Sequence, residues 1–190
     1  IFACSGTASS TLIIELAGYA GTNTFGVYDA NNANNYVQLF DGAANATPLS
    51  STISLEISLF GDVYVGGVDS GINFAGNNFG FYLDSTAAPG TNDGFWYSDT
   101  TLNSDGTDHM AAYQGAGTDL ISVGGRAYGT WTANEYILAW EDLNCAIGCD
   151  RDYTDFVVIV ESVENAPEPL TLSLLALGLI GVGAARRRQV

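Results

Sequence analysis

Five carboxylates crowd into one short stretch of the chain. Glu141 and Asp142 lie in Trp140-Glu141-Asp142-Leu143, and Asp150, Asp152 and Asp155 in Asp150-Arg151-Asp152-Tyr153-Thr154-Asp155. Like charges a few ångströms apart raise one another's pKa, so such crowding is costly unless the groups share a cation. Calcium suits the composition, because it takes about six to eight oxygens and favours carboxylates supplied by a loop. Asp150 and Asp152, two apart, can converge in an extended turn, and Asp155 enters with the strand that follows. Glu141, Asp142, Asp150, Asp152 and Asp155 are therefore expected calcium ligands. The competing reading is a solvated acidic loop that adds only solubility. An EF-hand is excluded, since neither the loop length nor a final glutamate fits.

A second polar segment, Asn103-Ser104-Asp105-Gly106-Thr107-Asp108-His109, sets oxygen donors around a glycine. Asn103, Asp105 and Asp108 could serve another ion or complete the first site. The alternative is a turn whose Asn and Asp side chains bond the backbone. His109 is the only histidine, and no serine or cysteine beside it reads as an activated nucleophile. A carboxylate pair at the separation that glycoside hydrolysis needs cannot be picked out from spacing. No catalytic residue is assigned, and a non-enzymatic protein is expected.

The three cysteines are Cys4, Cys145 and Cys149. Outside the cytosol Cys145 and Cys149 would close a small loop as a disulfide, stiffening the connection between the two acidic groups. One histidine and cysteines so spaced do not suit zinc. Cys4 is left over: free and buried, linked to another chain, or lipid-modified.

The elements that must position these groups read as short strands. Ser54 to Leu59 alternates, with Leu55, Ile57 and Leu59 on one face, the period of a half-buried strand. Similar runs are Leu12–Leu16, Phe25–Tyr28, Tyr36–Phe40, Val63–Val65, Phe79–Leu83, Phe95–Tyr97 and Tyr136–Trp140. Phe156–Val160 is apolar throughout and reads as a strand covered on both faces. Asn31 to Asn35, Asp41-Gly42, Asn77-Asn78 and Asn92-Asp93-Gly94 read as turns. An all-β fold follows, a sandwich or jelly roll.

The chain has 190 residues, no lysine, and five arginines against 21 acidic residues, for a formal net charge of −16. Nucleic acid is excluded as a partner, since binding it needs a basic footprint. Three of the five arginines, Arg186, Arg187 and Arg188, close an apolar run from Leu170 to Ala185 that follows Pro167-Glu168-Pro169. As a helix this run would rise about 24 Å against a hydrocarbon core of roughly 30 Å, a span made feasible by snorkelling arginines. The arginines favour a cytoplasmic C-terminus. Gly178, Gly181 and Gly183 offer a face on which another helix can pack. The expected organisation is a β ectodomain over 1–161, a linker over 162–169, a transmembrane helix over 170–185 and a basic tail over 186–190.

The order Pro-Glu-Pro, short apolar span and arginine cluster resembles the PEP-CTERM sorting signal of Gram-negative bacteria. The resemblance implies a substrate of an exosortase-type processing enzyme, sorted to the periplasm or cell surface, held by membrane lipid or released after tail cleavage. Phe79–Leu83, Asn103–His109, Trp140–Leu143 and Asp150–Asp155 together resemble an uncharacterised domain of bacterial secreted and surface proteins. That second resemblance implies a β fold with calcium binding and no established activity. Thr154 departs from it, standing where the pattern usually has Asn. Three functions stay open: a calcium-stabilised structural and interaction module, a calcium-dependent carbohydrate-binding module stacking sugars on Trp96, Tyr97, Trp131 or Trp140, and an accessory single-span subunit of a larger membrane assembly.

Overall fold

The computed structural model describes residues 1–15, 21–41, 52–87, 92–123 and 126–165. They form the strands β1 (Phe2–Glu15), β2 (Thr24–Asp29), β3 (Asn32–Phe40), β4 (Thr52–Ile57), β5 (Asp62–Val65), β6 (Val68–Asn73) and β7 (Asn78–Asp84). These are followed by β8 (Phe95–Tyr97), β9 (Met110–Gln114), β10 (Asp119–Val123), β11 (Arg126–Trp131), β12 (Glu135–Trp140) and β13 (Phe156–Asn165). The fold is all-β, as the alternating runs predict.

Two antiparallel layers share the first strand. One layer is β3-β2-β7, with β8 on the far half of β7; the other runs β6-β5-β4-β1-β13-β12-β9. Phe2 and Ala3 of β1 pair with β7, whereas Thr7 to Thr11 pair with β4. A register shift between Cys4 and Ser9 against β13 lies between these two pairings. Such an irregularity bends a strand and lets it pass from one layer to the other. The β10–β11 hairpin forms a separate two-stranded sheet.

Alternation fills the space between the layers. Phe25 and Val27 of β2 and Phe79, Phe81 and Leu83 of β7 meet Tyr136, Leu138 and Trp140 of β12 and Phe156, Val158 and Val160 of β13. The Phe25 ring stacks on Phe81 and Phe156 and stands edge-on to Trp140. Each such side chain contributes about 1.5–3 kcal/mol on burial, so this aromatic seam is what joins the layers.

Three expectations are corrected. Only Ala30 and Asn31 turn, while Asn32 to Asn35 already lie in β3. The alternation of Ser54 to Leu59 stops at Ile57, and Leu59 is 80% exposed. The reason is local: Ser58 Oγ accepts from the backbone N–H groups of Phe60 and Asp62, which folds the chain back before Leu59 can reach the core. Ser162 to Asn165 continue β13 rather than starting a linker, with Val163 buried. The expected helix over 170–185 lies outside the described residues, and among those described no helix is long and apolar enough to cross a membrane.

Registers fix which loops share an end. Phe156 pairs with Trp140, which pairs with Met110, so the segments 103–109 and 141–155 meet at one end of the sandwich. At the other end Asn165 pairs with Phe2, and Phe2 with Phe79.

Candidate metal centre

Trp140 and Phe156 are the last paired residues of β12 and β13. The excursion from Glu141 to Asp155 therefore leaves and re-enters the sheet at one place, which brings its first and last carboxylates together. Asp142 N–H donates to Asp155 Oδ2 at 3.1 Å. Glu141 is fully buried; its Oε1 accepts from Leu143 N–H at 3.2 Å and its Oε2 from Arg151 N–H at 2.8 Å. Asp150 returns to the same place, and one carboxylate oxygen from each of Glu141, Asp150 and Asp155 lies within 4.8 Å of the others. Glu141 forms the floor, Asp155 is half-buried, and Asp150 is exposed at the mouth.

The electrostatics match that crowding. Burial, then the charges of Asp155 and Asp150, push the Glu141 carboxyl up to about 7, against the pull of the Leu143 and Arg151 N–H groups. Burial raises Asp142 to about 6; the Asn23 amide opposes the shift, while Asp155 and Asp150 add to it. Asp155 is raised too, by burial first and then by Asp152 and Asp150. A bound cation would reverse these shifts, since it stabilises the ionised forms.

Asp142 does not join the trio. Its carboxylate accepts from Asn23 Nδ2 at 2.9 Å, and its carbonyl accepts from Trp96 Nε1 at 2.9 Å and Ser85 Oγ at 2.8 Å. Asp152 is not one of the three either, although its charge acts on Asp155. Its Oδ1 accepts from Thr154 N–H at 2.9 Å and from the Thr154 hydroxyl at 2.8 Å, in a stretch where Arg151 and Tyr153 hold φ of 58° and 53°. Non-glycine residues in that region are uncommon, so the alternation marks a tightly specified loop.

The upstream segment has other work. Asn103 is buried; its Oδ1 accepts from Tyr97 N–H at 2.7 Å and its Nδ2 donates to the Tyr97 and Thr107 carbonyls. Asp105 accepts from Thr107 N–H with Oδ1, and with Oδ2 meets His109 Nε2 at 3.0 Å and Cys145 N–H at 2.9 Å. Burial opposes ionisation of Asp105, but these donors outweigh it and hold the carboxyl below its ordinary range. His109 is fully buried, stacks on Trp96 at 3.8 Å between centroids, and places Nδ1 2.9 Å from the Glu141 carbonyl. Asp108 Oδ1 accepts from Met110 N–H, and the Asp108 carbonyl from the Tyr153 hydroxyl. Asn103, Asp105 and His109 thus form a brace that links the two loops.

Asp105, His109 and Cys145 cluster closely enough to suggest a metal. However, the Cys145 sulfur is bonded to Cys149, with Cα atoms 4.7 Å apart. A disulfide sulfur is no thiolate, so this group stays a hydrogen-bonded brace. The Cys145–Cys149 bridge matches the sequence expectation. Trp96 and Trp140 are fully buried, so neither offers a face to a sugar; Trp131 is half-buried, its Nε1 donating to the Glu135 carbonyl. Sequence reasoning missed Asn23 and Ser85. Both lie in polar turns far from the acidic segments, with nothing in their spacing to single them out.

A family model described as a domain of unknown function, DUF4114, matches residues 74–163. A second, the PEP-CTERM protein-sorting motif, matches residues 165–188. The chain carries a PEP-CTERM sorting motif behind a DUF4114 domain. The PEP-CTERM motif makes it an extracytoplasmic, sorted protein of Gram-negative type and implies processing by an exosortase. No curated protein and no solved structure matches the chain. The DUF4114 match takes in β7 to β13 and both acidic segments, yet β1 and β2, which pair with β13 and β7, lie before it.

Proposed function

We propose that this PEP-CTERM protein is a non-catalytic structural and interaction module of the cell envelope, fixed at its acidic end by calcium. The observation that carries the reading is the convergence of Glu141, Asp150 and Asp155 around one point with a buried floor and an open mouth. The donor set is all oxygen, which favours a hard cation over zinc or copper. Glu141 and Asp155 are steadied by backbone N–H groups, which leaves lone pairs for an ion. When bound, calcium supplies charge neutralisation and a cross-link between the two strand ends; Glu141, Asp150 and Asp155 would hold it. Asp142, Asn103 and Asp105 serve the frame around them.

The anchor is part of the same reading: residues 170–185 span the membrane and 186–190 face the cytoplasm until processing. The burial of Trp96 and Trp140 removes two of the four aromatics behind the carbohydrate-binding alternative. The test is thermal unfolding of metal-free protein titrated with CaCl2. A rise of roughly 5–10 °C at millimolar calcium supports the module, by preferential binding to the folded state. No rise at any concentration contradicts it.

A further inference from the structure

The turn between β4 and β5 presents its two largest side chains to solvent: Leu59 is 80% and Phe60 86% exposed. Exposed apolar residues at loop tips are ordinary when the loop is loose, but this one is built. Gly61 N–H donates to the Ser58 carbonyl, Ser58 N–H to the Asp62 carbonyl and Ser58 Oγ to Asp62 Oδ2, each at 2.9 Å. Asn73 Nδ2 donates to Asp62 Oδ1, and Phe74 N–H to the Gly61 carbonyl at 2.8 Å. Gly61 holds φ of +96°, and a Cβ there would sit 1.8 Å from the Phe74 carbonyl oxygen, so only glycine closes the turn. The fold thus spends a network of polar bonds on holding Leu59 and Phe60 in water.

The register says where they point. Ser9 of β1 pairs with Ser54 on one side and with Glu161 on the other, so β4 and β13 run in the same direction on either side of β1. The tip after Ile57 and the end of β13 at Asn165 therefore both lie at the end of the sandwich where β1 begins, β4 reaching it beside Thr7 and β13 beside Phe2. From Asn165 the chain reaches the apolar run at Leu170 in five residues, at most about 17 Å. An anchor there would bring this end, and no other, against the bilayer. Electrostatic attraction to anionic lipid is unavailable to so acidic a chain, which leaves apolar contact as the means of seating it.

We propose that Leu59 and Phe60 form a lipid-contacting tip that inserts into the bilayer interface beside the anchor and fixes the orientation of the domain. The proposal rests on the spanning reading of residues 170–185. Its test uses the full chain in phosphatidylcholine nanodiscs, with F60W and, as a control at the other end of β5, V68W. Val68 is also exposed, at 68%, but pairs with Val65 at the far end of β5. With wild-type emission subtracted, F60W should be blue-shifted and quenched by brominated phosphatidylcholine at least threefold more than V68W. Equal, weak quenching of the two overturns the tip. A blue shift without bromine quenching assigns the tip to a protein partner and also overturns it. Carbonate-resistant association with vesicles reads the anchor separately: a chain that washes off overturns anchor and tip together, whereas one that stays but leaves F60W unquenched overturns the tip alone. The double variant L59S/F60S should melt with the wild type; a loss would give these residues a structural role instead.

Discussion

The two ends of the sandwich spend their polar bonds on opposite things. At the acidic end, hydrogen bonds made by His109, Asp105, Asn103 and Asn23 hold carboxylates and loop backbone inside the protein, where burial raises the pKa of Glu141 and Asp142. At the other, Ser58, Asp62 and Asn73 hold a turn whose apolar residues face water. A buried charge and an exposed Phe are both uncomfortable in the isolated chain. Each becomes comfortable with a partner, a cation at one end and an apolar surface at the other.

The largest expected effect breaks the acidic end outright. H109A removes the ring between Trp96, Asp105 and the Glu141 carbonyl, leaving that buried carbonyl unpaired and Asp105 Oδ2 with the Cys145 N–H alone. It should cost about 3 kcal/mol, roughly 10 °C in melting temperature by circular dichroism. L59S at the opposite end should stay within about 0.5 kcal/mol of wild type. Similar losses for the two would erase the contrast.

A smaller effect has its sign set by the raised carboxyls. Without metal, Glu141 moves from 4.5 to about 7 and Asp142 from 3.8 to about 6 on folding. Between those limits the folded state holds protons that the unfolded state has lost, so stability falls as pH rises. In EDTA, scanning fluorimetry should show the melting temperature dropping by roughly 5 °C from pH 5 to pH 8. Calcium at pH 8 should restore it. E141Q should flatten the metal-free slope, because a carboxyl raised to about 7 no longer titrates.

The smallest effect sharpens the assignment within the acidic end. D152N keeps an oxygen for Thr154 and removes a charge outside the carboxylate trio. It should change the calcium response by less than about 0.5 kcal/mol, read as the shift of the melting transition with calcium.

What was legible follows from what repeats. Phe25–Tyr28 and Phe79–Leu83 are buried without a break and Tyr136–Trp140 nearly so, so these apolar runs, and with them the sandwich, could be read directly. Val68–Asn73 and Met110–Gln114 are edge-lying and mostly solvated, with no apolar period to betray them. Leu59 kept the period and left the strand, because a serine hydroxyl competing for backbone N–H groups outranks one more apolar position. At the site, crowding of acids was visible but their division of labour was not. Glu141 and Asp155 meet because the strands beside them are paired, a fact of register. Asp142 is drawn aside by Asn23, a residue 119 positions away that no local pattern connects to it.

The central claim is that Glu141, Asp150 and Asp155 hold calcium as one site. Calorimetric titration of CaCl2 into metal-free wild-type protein and E141Q at pH 7.5 tests it most directly. Saturable binding by wild type, absent from E141Q at equal folded content, is the predicted result. Binding that E141Q retains, or none by wild type at millimolar calcium, would contradict it.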